Sequence, residues 1–451
     1  MATFTRRFKF ENQRLAAVSL ALLATASLYS DPSRAEDARV LPKGRSRFSL
    51  IYAQTGSISQ TFDNEGKVIS VTAPYNMEIS AATLSKADPA AAKLVGVLNI
   101  TGWHYNSAES STSSHGLTKD DRYPLLGDAL SLYLGSNADA HREQYMTSFQ
   151  YGLTDRLSVG FMLPYVKTQV NINHGVSANN SIADLQSYFA GGNSKPDQDA
   201  ADGLKKLNSV NSETFQAMLT DKGYSRVQNY NGGGLGDIIL GGRYNYLNQE
   251  RKTGNYISSF QAGVTLPTGH IKPPSELIEP DTGQGAWDLG VANIFNYSPA
   301  SMVTFSNGTH YTYFFSDHRA MRVKKDASVL IPDASDEEMI KQRLGDKFST
   351  NLGTKVSFSK AVNIEASYEW AWKARDSYEG SKADRDYGSL ADQTDSYGET
   401  FNISLNLSTI PAFLKYDFPL PLDISFNVFV PTSGKNAVIT PYGTAELAAY
   451  F

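Results

Sequence analysis

The residues best suited to metal or proton chemistry are seven histidines, His104, His115, His141, His174, His270, His310 and His318, and their spacing serves neither. No pair has the separation of metal ligands. His310 and His318 lie near Ser306 and Asp317, but no nucleophile motif surrounds the serine, so a hydrolytic triad is not indicated. Glu365 and Glu369 share one face of an extended segment roughly 13 Å apart, too far for a working carboxylate pair. The run Pro332 to Glu338, with Asp333, Asp336 and Glu337, could bind a divalent cation at the surface. A solvated acidic loop or helix N-terminus is the plainer reading of it. Gly232-Gly233-Gly234 opens a strand rather than a helix, so it is no phosphate loop. The chain therefore offers no catalytic group, no metal site and no cofactor site.

A second set of charged residues obeys a different rule. From Phe348 the apolar set Phe348, Leu352, Val356 and Phe358 is interleaved with Ser349, Asn351, Gly353, Lys355 and Ser357. The next segment places Ile364, Ala366, Tyr368, Trp370 and Trp372 on one side and Asn363, Glu365, Ser367, Glu369 and Lys373 on the other. Only strands alternate in this way. A lipid-facing Arg or Lys costs ~2–4 kcal/mol at the bilayer midplane, so the polar phase faces a lumen. The lumen-lining candidates are Asp237, Arg243, Lys355, Glu365, Glu369, Lys373 and Arg375. They describe either a wet, mixed-charge pathway or a closed lumen in which they pair across strands.

The elements that carry them number twelve. Besides the two above, alternation marks Phe48 to Tyr52, Tyr145 to Tyr151, Leu157 to Tyr165, Ile238 to Tyr246, Tyr256 to Leu266, Trp287 to Tyr297, Val303 to Phe315, Phe401 to Leu407, Ile424 to Val430 and the last strand, with Leu447 and the terminal Phe451. The fold class is all-β, a transmembrane antiparallel β-barrel of about 12 strands (range 10–16). Phe451 and Leu447 are the expected signal to the barrel assembly machinery. Connections alternate short and long, as in bacterial barrels with periplasmic turns and outer loops. The stretch from Ser408 to Asp423 is long for a periplasmic turn; its prolines suggest an irregular crossover or an interfacial segment. Aromatic residues gather at both strand ends, with Trp287, Tyr311, Tyr313, Phe315, Trp370, Trp372 and Tyr397 outer, and Tyr151, Tyr244, Tyr246, Tyr256, Tyr297, Phe358 and Phe451 inner. A soluble sandwich or lipocalin-like barrel would not need two such girdles.

Composition agrees. The 451 residues carry a formal charge of −5, with Tyr 25 and Phe 22 but a mean hydropathy of −0.34. Alternating wall strands explain both the aromatic content and the polar average. No basic excess points to nucleic acid. Residues 1–35 read as a cleaved export signal, with Arg6, Arg7, Lys9 and Arg14 before the apolar run Leu15 to Tyr29 and cleavage expected before Glu36. There is no Cys for a lipid anchor or a disulfide. Residues 36–451 then form the barrel. The segments 75–141 and 173–233 are expected as largely extracellular or plug-like insertions, with helices at Ile79 to Leu98, broken at Pro89, and near Ile182 to Ala190 and Ser212 to Leu219.

Three segments in order resemble one outer-membrane family: Gln150-Tyr151-Gly152-Leu153-Thr154-Asp155-Arg156-Leu157 running on to Leu163-Pro164-Tyr165, then Gly234-Leu235-Gly236-Asp237-Ile238, then Val264-Thr265-Leu266-Pro267-Thr268-Gly269. They resemble the transporters named for the meta-pathway of phenol degradation, over Gln150 to Phe451. The resemblance implies an outer-membrane barrel passing small aromatic or apolar compounds, and it transfers no catalytic residue. Pro164 and Pro267 are expected near outer strand ends, where the ladder is ending. The expected function is a passive channel or transporter for small molecules in the bacterial outer membrane, with membrane lipid, solutes and a homo-oligomer as partners. The alternative is a non-conducting structural or adhesion barrel that oligomerises or binds a partner through its outer insertions.

Overall fold

The computed structural model describes residues 37–451 apart from 74, 75, 88, 110–114, 193, 327, 328 and 330; the expected export signal lies outside them. Twelve strands form one wall: β1 Ser46–Thr55, β2 Ser131–Thr154, β3 Leu157–Ala178, β4 Ile238–Arg251, β5 Gly254–Leu266, β6 Asp288–Ala300, β7 Val303–Phe314, β8 Lys347–Ser357, β9 Val362–Lys373, β10 Ser396–Ser408, β11 Leu422–Lys435 and β12 Tyr442–Tyr450. Neighbours in the chain pair antiparallel, and β12 returns to β1 with Arg47 opposite Tyr450 and Thr55 opposite Tyr442. Closure leaves no unpaired sheet edge, the condition for crossing hydrocarbon.

The side-chain phase decides what surrounds this wall. On β10 the apolar Phe401, Ile403, Leu405 and Leu407 are exposed, whereas Asn402, Ser404 and Asn406 between them are buried. On β12 Leu447 is exposed and Glu446 is buried. A water-solvated fold places its polar residues the other way round; lipid outside and polar groups inside require this arrangement. The soluble barrel is excluded, and the protein is an outer-membrane β-barrel. Exposed Trp287, Tyr311, Tyr313, Trp370 and Trp372 lie toward one end, and exposed Tyr151, Tyr244, Tyr246 and Phe358 toward the other.

The second set of rings marks the end with short turns, at 155–156, 252–253, 301–302 and 358–361. The first and last wall strands meet there, with Ser46 and Phe451 exchanging backbone hydrogen bonds of 3.0 Å. In bacterial barrels the end with short turns is the periplasmic one. At the other end the loops build structure of their own. Asp317–Arg322, Glu337–Arg343 and Ser377–Glu379 form a three-stranded sheet around Val323, Ile340 and Tyr378.

The chain divides into two compact units. The barrel unit comprises residues up to Val71, Ala138–Asn171 and Gln228–Phe451. The second unit is Thr72–Asn137 with Ile172–Val227. It holds α1 Ala81–Ala87, α2 Pro89–Ile100, α3 Asn180–Ala190, α4 Lys195–Asn208 and α5 Ser212–Asp221. The two segments read from sequence as separate insertions thus share one core, with Leu94, Leu98, Leu126, Ile182, Leu185 and Leu204 buried. Tyr105 donates to Asp184 at 2.6 Å across them.

One local expectation is corrected. Pro164 lies well inside β3, not at its end. Its lack of an N–H is tolerated because the partner changes there: Met162 pairs with Ile239 of β4, whereas Tyr165 pairs with Leu235 of the short strand Tyr230–Leu235.

Candidate functional site

An alternating wall delivers every second side chain to the axis, so the inner surface can be read strand by strand. Arg243 on β4 and Gln261 on β5 are directly opposite, and the guanidinium donates to the Gln261 side-chain oxygen Oε1 at 3.0 and 2.7 Å. Its remaining nitrogen donates to the backbone carbonyl of Asp37 at 2.6 Å. That carbonyl belongs to no strand. Residues Asp37–Pro42, just before β1, run inside the wall and are held by inward side chains. Asn296 accepts from the Ala38 N–H at 2.6 Å, and Ser259 and Asn245 donate to the Ala38 carbonyl. Ser158 accepts from the Leu41 N–H at 2.8 Å, and Asp155 accepts from the Lys43 N–H at 3.0 Å. Burial alone would raise the Asp37 carboxyl, but Arg39 and Lys355 hold it well below the usual carboxylate range.

The outer end is built differently. Asp237 is fully buried and accepts from the Gly269 N–H at 2.8 Å and the Gln284 N–H at 2.6 Å. A side chain at Gly283 would stand 2.3 Å from the same carboxylate, so the loop can approach only as glycine. Thr268 donates to the Gly236 carbonyl at 2.9 Å and accepts from the Ile238 N–H at 3.1 Å. Gly236 in turn donates to the Pro164 carbonyl at 2.9 Å. The three sequence segments carrying the resemblance therefore converge in one hydrogen-bonded knot where β3, β4 and β5 meet.

The other sequence-derived residues divide by height. Lys355 and Glu365, opposite each other on β8 and β9, form a 3.9 Å ion pair, with Glu365 buried. Glu369 lies on the same inward phase of β9. Lys373 ends that strand and donates to Asp376 and to the Thr394 carbonyl, fastening the 374–395 loop. Arg375 stands beyond the strand and bonds the Ala391 carbonyl and Asp392 within that loop. In the acidic run, Asp336 accepts from Arg385 at 2.7 Å and Glu338 from Tyr387 at 2.7 Å, so internal donors hold these carboxylates.

The inner surface is polar on most strands, Arg47 of β1, Gln144 of β2 and Glu446 of β12 included, with apolar patches among them. Inward residues of β1 to β3 include a buried apolar cluster of Ile51, Ala53 and Met146 with Met162 packed on it. Phe429 of β11 and Tyr442 of β12 stack beside it on the inward phase, ring centres 4.2 Å apart. Strands β4 to β10 supply Arg243, Asn296, Lys355, Glu365 and Asn402 together with the buried apolar Ala292 and Ile294 of β6.

A protein-family model described as "Putative MetA-pathway of phenol degradation" matches residues 129–408. The chain belongs to this family. No curated protein matches it in sequence. Among solved structures it is similar to the COG4313 outer membrane channel from Pseudomonas putida F1, with 10% identity over 92% of this chain and 98% of that one and a TM-score of 0.48. It is also similar to the translocator domain of the autotransporter NalP from Neisseria meningitidis (6% identity, 97% and 99% covered, TM-score 0.37) and to the Pseudomonas putida toluene transporter TodX (8%, 91% and 90%, TM-score 0.31).

The family's matched stretch opens at the start of β2 and closes with β10, so Asp37–Pro42, β1, β11 and β12 lie outside it. Asp37–Pro42 and its holders Ser158, Asn245, Ser259 and Asn296 are what sequence reasoning missed. The holders' inward phase was readable, whereas nothing in Asp37 to Pro42 itself marks a luminal segment.

Proposed function

We propose that this family member is a passive outer-membrane channel for small molecules of low polarity, with Asp37–Pro42 as a displaceable occupant of its lumen. The observation that carries the reading is how that segment is held. Wall side chains bond backbone groups of Asp37, Ala38 and Leu41, with no shared sheet ladder and no covalent tie to the wall beyond the chain's own run into β1. Each such bond contributes only ~0.5–1.5 kcal/mol net, and the wall is already closed without the segment. An apolar patch in the lumen supports the solute class: Ile51, Ala53, Met146 and Met162 suit an apolar body, and the polar inward side chains around them suit a polar tip. The family's name, which refers to phenol degradation, agrees with such solutes.

The test is uptake of the apolar dye N-phenylnaphthylamine by intact cells, paired with glycerol swelling of vesicles holding the purified barrel. Faster dye uptake in cells expressing the protein is expected. Unchanged dye uptake together with no glycerol entry would support a non-conducting structural barrel instead.

A further inference from the structure

The connection from β10 to β11 is the exception at the periplasmic end. Every other turn there is short, yet Thr409 to Pro421 forms a folded knuckle containing the single helical turn Ile410–Phe413. Its order is internal. The Thr409 hydroxyl donates to the Leu420 carbonyl at 2.7 Å and accepts from the Leu422 N–H at 2.8 Å. The Phe413 N–H donates to the Thr409 carbonyl at 2.8 Å, and the Asp417 N–H to the Ala412 carbonyl at 2.9 Å.

A loop folded this firmly would be expected to cover its apolar side chains, and this one presents them. Leu414 is 71% exposed and Tyr416 97%, with Phe413, Phe418 and Leu420 also exposed. Tyr416 takes a left-handed backbone, φ 64°, unfavourable for a bulky residue, at the knuckle's tip. Only Lys415 and Asp417 carry charge within the knuckle.

We propose that Thr409–Pro421 is a membrane-interface anchor, its apolar side chains resting among the headgroups and upper acyl chains of the inner leaflet. Lipid is favoured as the occupant because the surface is continuous with one already facing lipid. The strands entering and leaving the knuckle carry exposed Leu405 and Leu407 on β10 and Phe426 and Val428 on β11. Aromatic rings beside a lone lysine are the residue types that settle at a bilayer interface. The inference is independent of whether the lumen conducts.

The chain has no cysteine, so single introduced thiols can be labelled cleanly. Nitroxide labels at Leu414→Cys and, separately, Tyr416→Cys in the full barrel reconstituted in phosphatidylethanolamine and phosphatidylglycerol are read for collision with oxygen and with a water-soluble nickel chelate. Leu407→Cys serves as the lipid reference and Thr253→Cys, in a short turn, as the water reference. Both knuckle labels should favour oxygen over the chelate, like Leu407→Cys and at least threefold more than Thr253→Cys. Two outcomes overturn the proposal: chelate access equal to that of Thr253→Cys, or shielding from both reagents that grows with protein density, which would indicate a second copy of the chain.

Discussion

Arg243 joins the wall to the luminal segment, and its loss should be felt there first. Its bonds to Gln261 and to the Asp37 carbonyl are charge-assisted. Removing such a bond costs ~1.5–3 kcal/mol, about ten- to a hundredfold in the population of the released segment. Arg243→Ala should therefore speed trypsin cleavage after Arg39 in the reconstituted barrel by that factor, and equal cleavage rates would contradict the holding role. Asp37 adds a pH dependence. Its folded carboxyl lies below the ordinary value of 3.8, so its contribution is present above that value and lost as pH falls through the folded one. Trypsin is inactive in strong acid, so conductance, readable at every pH, should report a segment equally lodged at pH 7 and pH 5 and loosened only below about pH 3.8.

At the scale of the strand, the wall's phase is the claim to challenge. Ile403→Lys places a cation on the lipid face near mid-strand, at ~2–4 kcal/mol, and should impair insertion and heat-modifiable gel mobility. Glu369→Gln, on the inward phase, should leave both nearly unchanged. Equal impairment would refute the facing assignment.

Phase alone leaves register open, because a slip of two residues keeps every apolar side chain outward. At the β1–β12 seam Arg47 stands opposite Tyr450, yet its guanidinium bonds Glu446, two inward steps away, passing the buried small residues Ser49 and Ala448. Leaving one member of such a buried pair alone costs ~3–5 kcal/mol, a penalty incurred by the slip that sets Ser49 opposite Tyr450 and carries Glu446 out of reach of Arg47. Cysteines at Phe48 and Ala449, which are opposite, should cross-link in the otherwise native chain. Cysteines at Phe48 and Phe451, opposite each other in that slipped register, should cross-link only once Glu446→Ala is introduced; no such product would argue against a register role.

The strand scale also shows what the sequence could and could not reveal. All twelve wall strands were legible, because lipid on one face and a polar lumen on the other enforce period two, as in Phe401 to Leu407. The extension of β2 back to Ser131 was not legible. Outside hydrocarbon the run Gly135-Ser136-Asn137-Ala138-Asp139 has no apolar face to declare itself. Helix α4 escaped notice because Lys195 to Asn208 carries few apolar residues besides the buried Leu204 and Ala200. The lumen's inward set was readable by phase. Its height was not, so Arg375 reads as luminal in sequence although it lies in the 374–395 loop.

For the whole molecule, a closed twelve-strand wall with an apolar exterior supplies the membrane location, and its interior supplies the function. At the periplasmic side the inner surface holds a strap by backbone hydrogen bonds. At the other end strand-end residues such as Asp237 and Lys373 fasten loops. If the strap is removable, as proposed, it gives a channel control of its bore, whereas a structural barrel would gain nothing from one. The most direct measurement is single-channel current across a planar bilayer, comparing the intact chain with one lacking Asp37 to Pro42, both shown to be folded by heat-modifiable mobility. Discrete current steps that are several-fold larger in the shortened chain are predicted. Silence from both proteins, or identical steps, would contradict the account.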